Sequence, residues 1–237
     1  MPGLNRLIPP TWRDFVAWQV SRRELKQHMA VTDATSIVRA SFNYRGLGVF
    51  KHIYALQKES EIVDLASLVA ERKPRVIVEI GTAKGGTLFI WSRTNPQLEL
   101  LVSIDLPGGN FGGGYDSRRE KLYHEFLHGR DRTKLVLMRC DSHAAETAAL
   151  LDQHLAGRPI DFLWIDGDHE YEGVKKDFLT YSQRVRPGGM VAFHDIITRG
   201  DGHAVHRLWD ELKGQYRHDE FIEDRSSARM GIGVLHF

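Results

Sequence analysis

Five short apolar runs in this 237-residue chain each end in a polar cluster that contains an aspartate or a glutamate. Carboxylates accept hydrogen bonds from hydroxyl and amino groups and bind cations, and histidine exchanges protons near neutral pH. If the runs are parallel strands, their carboxyl ends meet at one edge of a sheet and the clusters form a single site. The acidic positions in chain order are Glu79, Asp105, Asp141, Asp166 and Asp195.

The turn after the first run limits what the site can bind. Residues 79–86 have the spacing E-x-G-x-x-x-G-G, whereas a dinucleotide fingerprint reads G-x-G-x-x-G. Glu79 would also repel a pyrophosphate, which disfavours a dinucleotide oxidoreductase. A ligand with a cationic group and no phosphate fits better, and S-adenosylmethionine is such a ligand. Asp105 suits a ribose diol, because one carboxylate can accept from both hydroxyls; a helix N-cap is its alternative use.

The elements that carry these clusters alternate between strands and helices. The apolar runs predict strands at residues 76–80, 100–104, 135–138, 162–165 and 190–193. Helical patterns follow at residues 86–92, 117–127, 144–155 and 173–185. Alternation of this kind predicts βαβ units, a parallel sheet and helices on both faces. A helix at residues 205–216 and a hairpin of strands 221–223 and 231–235 complete seven strands.

These motifs together resemble the class I S-adenosylmethionine-dependent methyltransferases. Within that class, the chain is similar to the group that includes cephalosporin hydroxylase-like proteins and macrolide-sugar O-methyltransferases, over about residues 60–237. The resemblance implies a Rossmann-like α/β fold with strand order 3-2-1-4-5-7-6 and an antiparallel seventh strand. It is carried by Val78-Glu79-Ile80-Gly81 with Gly85, by Ile104-Asp105, by residues 162–169 (FLWIDGDH) and by residues 186–189 (RPGG).

The resemblance also implies roles for individual residues. Glu79, Gly81 and Gly85 hold the methionine part of the cofactor, and Asp105 holds the ribose. Asp141 and Ser142 flank the adenine, although a helix N-cap explains this pair about equally well. The predicted cofactor-binding set is Glu79, Gly81, Thr82, Gly85, Asp105, Asp141, Ser142 and Asp166.

Asp166 and Asp195 correspond to positions at which related metal-dependent O-methyltransferases bind Mg²⁺. Two carboxylates facing one cleft favour a cation or a proton between them. The sequence departs from the relatives beside Asp195, where His194 and Ile196 replace a carboxylate or amide, and histidine suits Mn²⁺, Fe²⁺ or Zn²⁺ better than Mg²⁺. We therefore expect a divalent metal, Mg²⁺ or Mn²⁺, on Asp166, Asp195 and His194.

A histidine acting as a general base is the alternative to the metal. His169 and His194 are the two candidates, because both fall at strand ends beside aspartates. A histidine at a strand end can also be only a hydrogen-bonded structural residue. The predicted catalytic residues are Asp166, His169 and His194.

Composition excludes several classes of protein. The net charge is +1, whereas nucleic-acid-binding proteins and polybasic membrane anchors usually have a strong excess of basic residues. Cys140 is the single cysteine, so an intrachain disulfide is impossible and a reducing compartment is expected. No apolar stretch is long enough for a signal peptide or a membrane span. We expect a cytoplasmic protein.

Two further segments flank the predicted site. Residues 1–60 form a helical extension that caps the cleft or makes a dimer contact, and residues 61–237 form the catalytic domain. Residues 107–115 carry five glycines with Phe111 and Tyr115, and are predicted to be a mobile lid or a plain surface loop.

The sequence thus predicts an S-adenosylmethionine-dependent methyltransferase that transfers a methyl group to a hydroxyl of a small-molecule acceptor, such as a natural-product sugar. A homo-oligomer is compatible with it. The alternative function is a binding or assembly subunit that keeps the cofactor fold without methyl transfer.

Overall fold

A seven-stranded sheet organises the part of the chain that the structure describes. The computed structural model describes residues 10–108, 114–200 and 202–237, with side chains from residue 12 onward. The strand order is β3-β2-β1-β4-β5-β7-β6, which confirms the predicted order. The strands are β1 Val76–Ile80, β2 Leu100–Asp105, β3 Lys134–Arg139, β4 Ile160–Ile165, β5 Val185–His194, β6 Arg217–Phe221 and β7 Ile232–His236.

Strand directions bring the acidic positions to one edge. β1 is parallel to both β2 and β4, and the remaining pairs among the first five strands are also parallel. β7 is antiparallel to β5 and to β6, as predicted. The carboxyl ends of β1 to β5 therefore meet at the same edge of the sheet.

Helices connect the strands as the alternating pattern predicts. Short 3₁₀ turns precede α5 at Ser117–Arg119 and follow α7 at Ser182–Arg184. The α-helices are α1 Pro10–His28, α2 Ala34–Asn43, α3 Glu59–Arg72, α4 Gly86–Thr94, α5 Glu120–Glu125, α6 Ala145–Leu155, α7 Tyr171–Tyr181 and α8 Val205–Leu212.

Several predicted element boundaries were wrong, and the helix predicted at 205–216 ends at Leu212. The helix predicted at 173–185 ends at Tyr181, and β5 begins at Val185, before Pro187 and two glycines. The register between β4 and β5 shifts between Ile160 and Phe162, so an irregular pairing accommodates the proline. The strand predicted at 221–223 is β6, which ends at Phe221 and begins four residues before it.

Both faces of the sheet are covered. In β1, Ile77 packs with α3 and α4, whereas Val76 and Val78 pack with α6 and α7 on the opposite face. All five residues of β1 are buried. The continuous apolar run of this strand follows from its burial on both sides, as in other parallel sheets.

The N-terminal helices share the core of one face. Leu25 of α1 and Ile37 of α2 are fully buried in the same cluster as α3 and α4. The apolar positions at helical spacing near the start of α1, Trp12, Phe15, Val16 and Val20, are exposed instead. Whether residues 1–60 act as a cap or a dimer contact stays a prediction. Over the described residues, no helix combines the length and apolarity needed to cross a bilayer.

Candidate active site

The turn after β1 depends on a glycine at its first position. Gly81 has φ +88°, in the left-handed region, and a Cβ atom there would fall 2.0 Å from the carbonyl oxygen of Asp166. The Gly81 N–H donates to the carbonyl of Ile104 at 2.9 Å. Only glycine can lie this close to the end of β4, so the glycine at position 81 allows the turn to pack directly against Asp166.

Asp105 holds the same turn from β2. One carboxylate oxygen accepts from the backbone N–H groups of Thr82 and Ala83, at 3.1 and 2.8 Å. The other oxygen accepts from Leu106 and Gly114 at 2.8 and 2.9 Å. A carboxylate has about four acceptor sites, and these four bonds use them. The predicted contact of Asp105 with a ribose stays a prediction and would require it to release a backbone donor.

Tyr123 and Arg119 support the other end of the turn. The hydroxyl of Tyr123 donates to the carbonyl of Ala83 at 3.1 Å, and a Cβ atom at Gly85 would collide with the tyrosine ring. The guanidinium of Arg119 donates to Tyr123 Oη at 3.0 Å. It also donates to four backbone carbonyls, those of Val49, Lys51, His52 and Lys84. Sequence reasoning missed both residues.

Glu79 lies at the floor of the turn as a fully buried carboxyl group. Neither of its oxygens has a well-aligned donor among the described residues. Burial raises the pKa of Glu79 to about 8, and the nearby hydroxyls of Thr87 and Thr82 only partly oppose that rise. A buried carboxyl group with free acceptors is suited to a ligand that brings positive charge.

Asp141 and Ser142 follow β3 at the same edge. Asp141 is exposed, and one of its carboxylate oxygens accepts from the N–H of His143 at 2.8 Å. The carbonyl of Ser142 accepts from the hydroxyl of Tyr181 at 2.6 Å. The carboxylate of Asp141 therefore caps its own loop, and the adenine role of this pair stays a prediction.

The ends of β4 and β5 bring together the four residues predicted for catalysis and metal binding. His194 Nδ1 lies 3.1 Å from Asp166 Oδ1 and 3.4 Å from Asp195 Oδ2. His169 Nδ1 lies 2.8 Å from Asp195 Oδ2. The side chain of His194 is 5% exposed, whereas that of His169 is 35% exposed.

The charges in this cluster shift the pKa values of its members. Burial lowers the pKa of His194, but the charges of Asp166 and Asp195 outweigh burial and raise it to about 9. Burial likewise lowers the pKa of His169, and its contact with Asp195 outweighs that and raises the pKa above its ordinary value. Burial raises the pKa of Asp195, but the two histidines hold it well below its usual range.

The backbone at Asp195 has an unusual conformation. Its φ is +63°, which a non-glycine residue seldom adopts. The hydroxyl of Thr198 donates to Asp195 Oδ1 at 2.5 Å and accepts from the N–H of Met230 at 2.7 Å. These bonds keep the carboxylate turned toward His169, at a strain of about 1–3 kcal/mol that is typical of functional sites.

Two further side chains, which the sequence analysis did not predict as ligands, also reach this cluster. His203 Nε2 lies 4.0 Å from Asp195 Oδ2, and its ring meets that of His169 edge to face. Gln57 Nε2 donates to Asp166 Oδ2 at 2.7 Å. Two groups of three possible ligand atoms result, and each group lies within 4.8 Å: Asp166, His194 and Asp195, and His169, Asp195 and His203.

The glycine-rich segment after β2 is described only in part. Phe111 lies outside the described residues. Tyr115 is buried and packs edge to face on Tyr123 at 4.9 Å between ring centres. Tyr115 is therefore fixed against α5 rather than carried on a free loop. The lid at residues 107–115 stays a prediction.

Comparison with known proteins gives the class of protein that this fold and site define. A family model described as a methyltransferase domain matches residues 78–196, about half of the chain. The match contains the glycine turn and every strand end described above. The chain belongs to this family of methyltransferase domains.

Solved structures agree in fold. The O-methyltransferase of Bacillus cereus in complex with S-adenosylhomocysteine has a TM-score of 0.52 at 16% identity, with 98% of this chain and 93% of that chain covered. The O-methyltransferase TomG of Streptomyces achromogenes, involved in tomaymycin synthesis and in complex with S-adenosylmethionine, has a TM-score of 0.52 at 16% identity, with 97% and 99% covered. The fold is that of the class I S-adenosylmethionine-dependent methyltransferases, as the resemblance implied.

Curated relatives match over shorter segments. An uncharacterised protein of Sinorhizobium fredii is 30% identical over 149 residues, which are 61% of this chain and 16% of the relative. An uncharacterised protein of Acanthamoeba polyphaga mimivirus is 30% identical over 125 residues, 53% of each chain. The chain thus aligns with about half or less of the length of these two relatives.

Proposed function

We propose that this protein binds S-adenosylmethionine at the turn after β1 and transfers its methyl group to a hydroxyl of a small molecule. The observation that carries the proposal is Glu79. A buried carboxyl group whose oxygens have no partner among the described residues lies beneath a turn whose glycines leave no room for side chains. That combination suits the cationic head of S-adenosylmethionine, because a positive charge beside Glu79 favours its carboxylate form.

His169 is the residue we propose as the general base. Its Nδ1 lies 2.8 Å from Asp195 Oδ2, which leaves Nε2 for the acceptor. The acceptor oxygen forms a bond to the methyl carbon, the carbon–sulfur bond breaks, and S-adenosylhomocysteine leaves. The hydroxyl proton passes to His169 Nε2. His194 is enclosed by Asp166 and Asp195 and is the less accessible of the two histidines.

A divalent metal fits the same cluster. Asp166, His194 and Asp195 each offer one ligand atom, and the two oxygens and one imidazole nitrogen form a donor set that suits Mn²⁺ better than Mg²⁺. A metal held by these residues would lower the pKa of an acceptor hydroxyl. His169 would keep its contact with Asp195 and its position as the base.

The first test is isothermal titration with S-adenosylmethionine and S-adenosylhomocysteine. We expect saturable binding of both in the micromolar range, and no binding at millimolar ligand would overturn the cofactor assignment. Methyl transfer to a panel of hydroxylated small molecules, including natural-product glycosides, tests the reaction. Cofactor binding without turnover on any hydroxyl would favour the binding-subunit alternative. Turnover measured before and after chelation, with metals added back, reports the metal dependence.

A further inference from the structure

The segment of residues 53–57, between the 3₁₀ turn Gly48–Phe50 and α3, crosses the edge of the sheet above β1 and β4. At one end its backbone packs on Gly86, where a Cβ atom would fall 2.1 Å from the nitrogen of Ala55. At the other end Gln57 reaches Asp166. This segment therefore links the glycine turn after β1 with the end of the neighbouring strand β4.

The side chain of Gln57 has one satisfied and one unsatisfied end. Gln57 is 5% exposed, its Nε2 donates to Asp166 Oδ2 at 2.7 Å, and its Oε1 has no hydrogen-bond partner among the described residues. Turning the amide around would set its oxygen against a carboxylate oxygen, so Asp166 fixes the orientation. A buried acceptor without a donor is costly, and such an atom calls for a donor from a ligand.

Asp166 separates two sides of the cleft. Its Oδ1 faces His194 and His169, at 3.1 and 3.9 Å, on the side proposed for the acceptor. Its Oδ2 accepts from Gln57 Nε2 at 2.7 Å. Residues 53–55 of the same segment pack on Gly86 of the glycine turn. We therefore place Gln57 Oε1, which has no partner among the described residues, on the side of the turn and Glu79, where the positive head of the cofactor is proposed to lie.

We propose that Gln57 Oε1 accepts a hydrogen bond from the α-ammonium group of S-adenosylmethionine, which makes Gln57 a cofactor-binding residue supplied by the N-terminal segment. This inference rests on the proposed function. It extends the site beyond the methyltransferase-domain match, which begins at residue 78. An amide between a carboxylate and an ammonium donates to the first and accepts from the second, so both ends are satisfied once the ligand is bound.

The test compares two ligands that differ in the head group. S-adenosylhomocysteine carries the α-ammonium, whereas 5′-methylthioadenosine lacks the whole amino-acid part. For Gln57→Leu we expect about a tenfold to hundredfold loss of affinity for S-adenosylhomocysteine, as for a lost hydrogen bond to a charged group, and an unchanged affinity for 5′-methylthioadenosine. The matched control is Gln97→Leu, an exposed glutamine, which should leave both affinities unchanged.

A second variant keeps the test decisive if Gln57→Leu does not fold. Gln57→Met has nearly the length of glutamine without a strong acceptor, and we expect it to lose affinity for S-adenosylhomocysteine while its affinity for 5′-methylthioadenosine stays unchanged. Equal weakening of both ligands by Gln57→Leu, or no weakening, would overturn the inference, as would a retained preference for S-adenosylhomocysteine in Gln57→Met. An effect that disappears after chelation would assign the oxygen to a metal instead and also overturn it. Failure of the wild-type protein to bind either ligand would overturn the proposed function itself.

Discussion

The two sides of the cleft are held together by different kinds of contact. Around the glycine turn, charged side chains bind backbone groups: Asp105 accepts from four N–H groups, and Arg119 donates to four carbonyls. At the ends of β4 and β5, ionisable side chains contact one another. The glycine turn is held by hydrogen bonds between side chains and the backbone, whereas the cluster at the ends of β4 and β5 is held by contacts between ionisable side chains. Substitutions should therefore affect folding and cofactor binding on the first side, and rate on the second.

The largest effect is expected from Gly81→Ala. The new Cβ would collide with the Asp166 carbonyl, so we expect a loss of about 3 kcal/mol or more in the free energy of unfolding, together with loss of S-adenosylhomocysteine binding. The control is Gly157→Ala, which has a similar φ of +79° and open space around the Cβ. It should cost only about 1 kcal/mol. Urea denaturation measures both, and equal losses would show that the close contact with Asp166 is not what the turn depends on.

On the second side, His169→Ala should lower the rate and spare the cofactor. We expect methyl transfer to fall by about 10²- to 10⁴-fold, the usual contribution of a general base. Affinity for S-adenosylhomocysteine should stay within about twofold, because His169 contacts Asp195 rather than the turn. His128→Ala, at a histidine that is 55% exposed, is the control for both measurements. A parallel loss of cofactor affinity would erase the distinction between the two sides.

Glu79 should make the free energy of unfolding depend on pH. The pKa of Glu79 is about 8 in the folded chain against an ordinary value of 4.5, so the folded state holds a proton that the unfolded state has lost. The free energy of unfolding should fall as pH rises between these values, by about 2 kcal/mol from pH 6 to pH 8. Glu79→Gln should flatten this dependence and weaken binding of S-adenosylmethionine. Urea denaturation at several pH values tests it, and an unchanged slope in the variant would show that Glu79 is not the group responsible.

The smallest effect is expected from Tyr123→Phe. Removing the hydroxyl deletes the bonds to Ala83 and Arg119, and we expect a loss of roughly 1 kcal/mol in stability with a modest loss of cofactor affinity. Tyr171→Phe, which deletes a hydroxyl from an exposed network with Glu211, should cost less than about 0.5 kcal/mol. Thermal unfolding and titration with S-adenosylhomocysteine check both. Similar losses in the two variants would mean that the turn draws no support from Tyr123.

The order of strands and the clustering of acidic residues at one edge were predictable from the sequence. Buried parallel strands appear as continuous β-branched runs, as at residues 76–80, and parallel direction then fixes where the polar residues after each strand meet. That reasoning brought Asp166, His169, His194 and Asp195 together without coordinates. Periodicity predicts the apolar stripe at the start of α1 but not what covers it, and the structure leaves that stripe exposed.

The supporting residues were not predictable, for a physical reason. Gln57 meets Asp166 across 109 positions of sequence, and Arg119 meets Val49 across 70. No local sequence pattern predicts a contact between residues so far apart. A buried glutamine or arginine is stabilised by the polar groups that the fold brings around it, and those groups are distant in the sequence. Asp105 shows the same gap: its position at a strand end was predicted, but its four backbone partners depend on how two loops approach each other.

The guanidinium of Arg119 has a consequence for how the chain responds to its ligand. One cation ties the carbonyls of residues 49, 51 and 52 to the carbonyl of Lys84 in the glycine turn. A ligand that stabilises the turn should then also stabilise residues 49–57, which lead from α2 to α3. Amide hydrogens in residues 49–57 should exchange with deuterium more slowly when S-adenosylhomocysteine is present, although most of them never touch it.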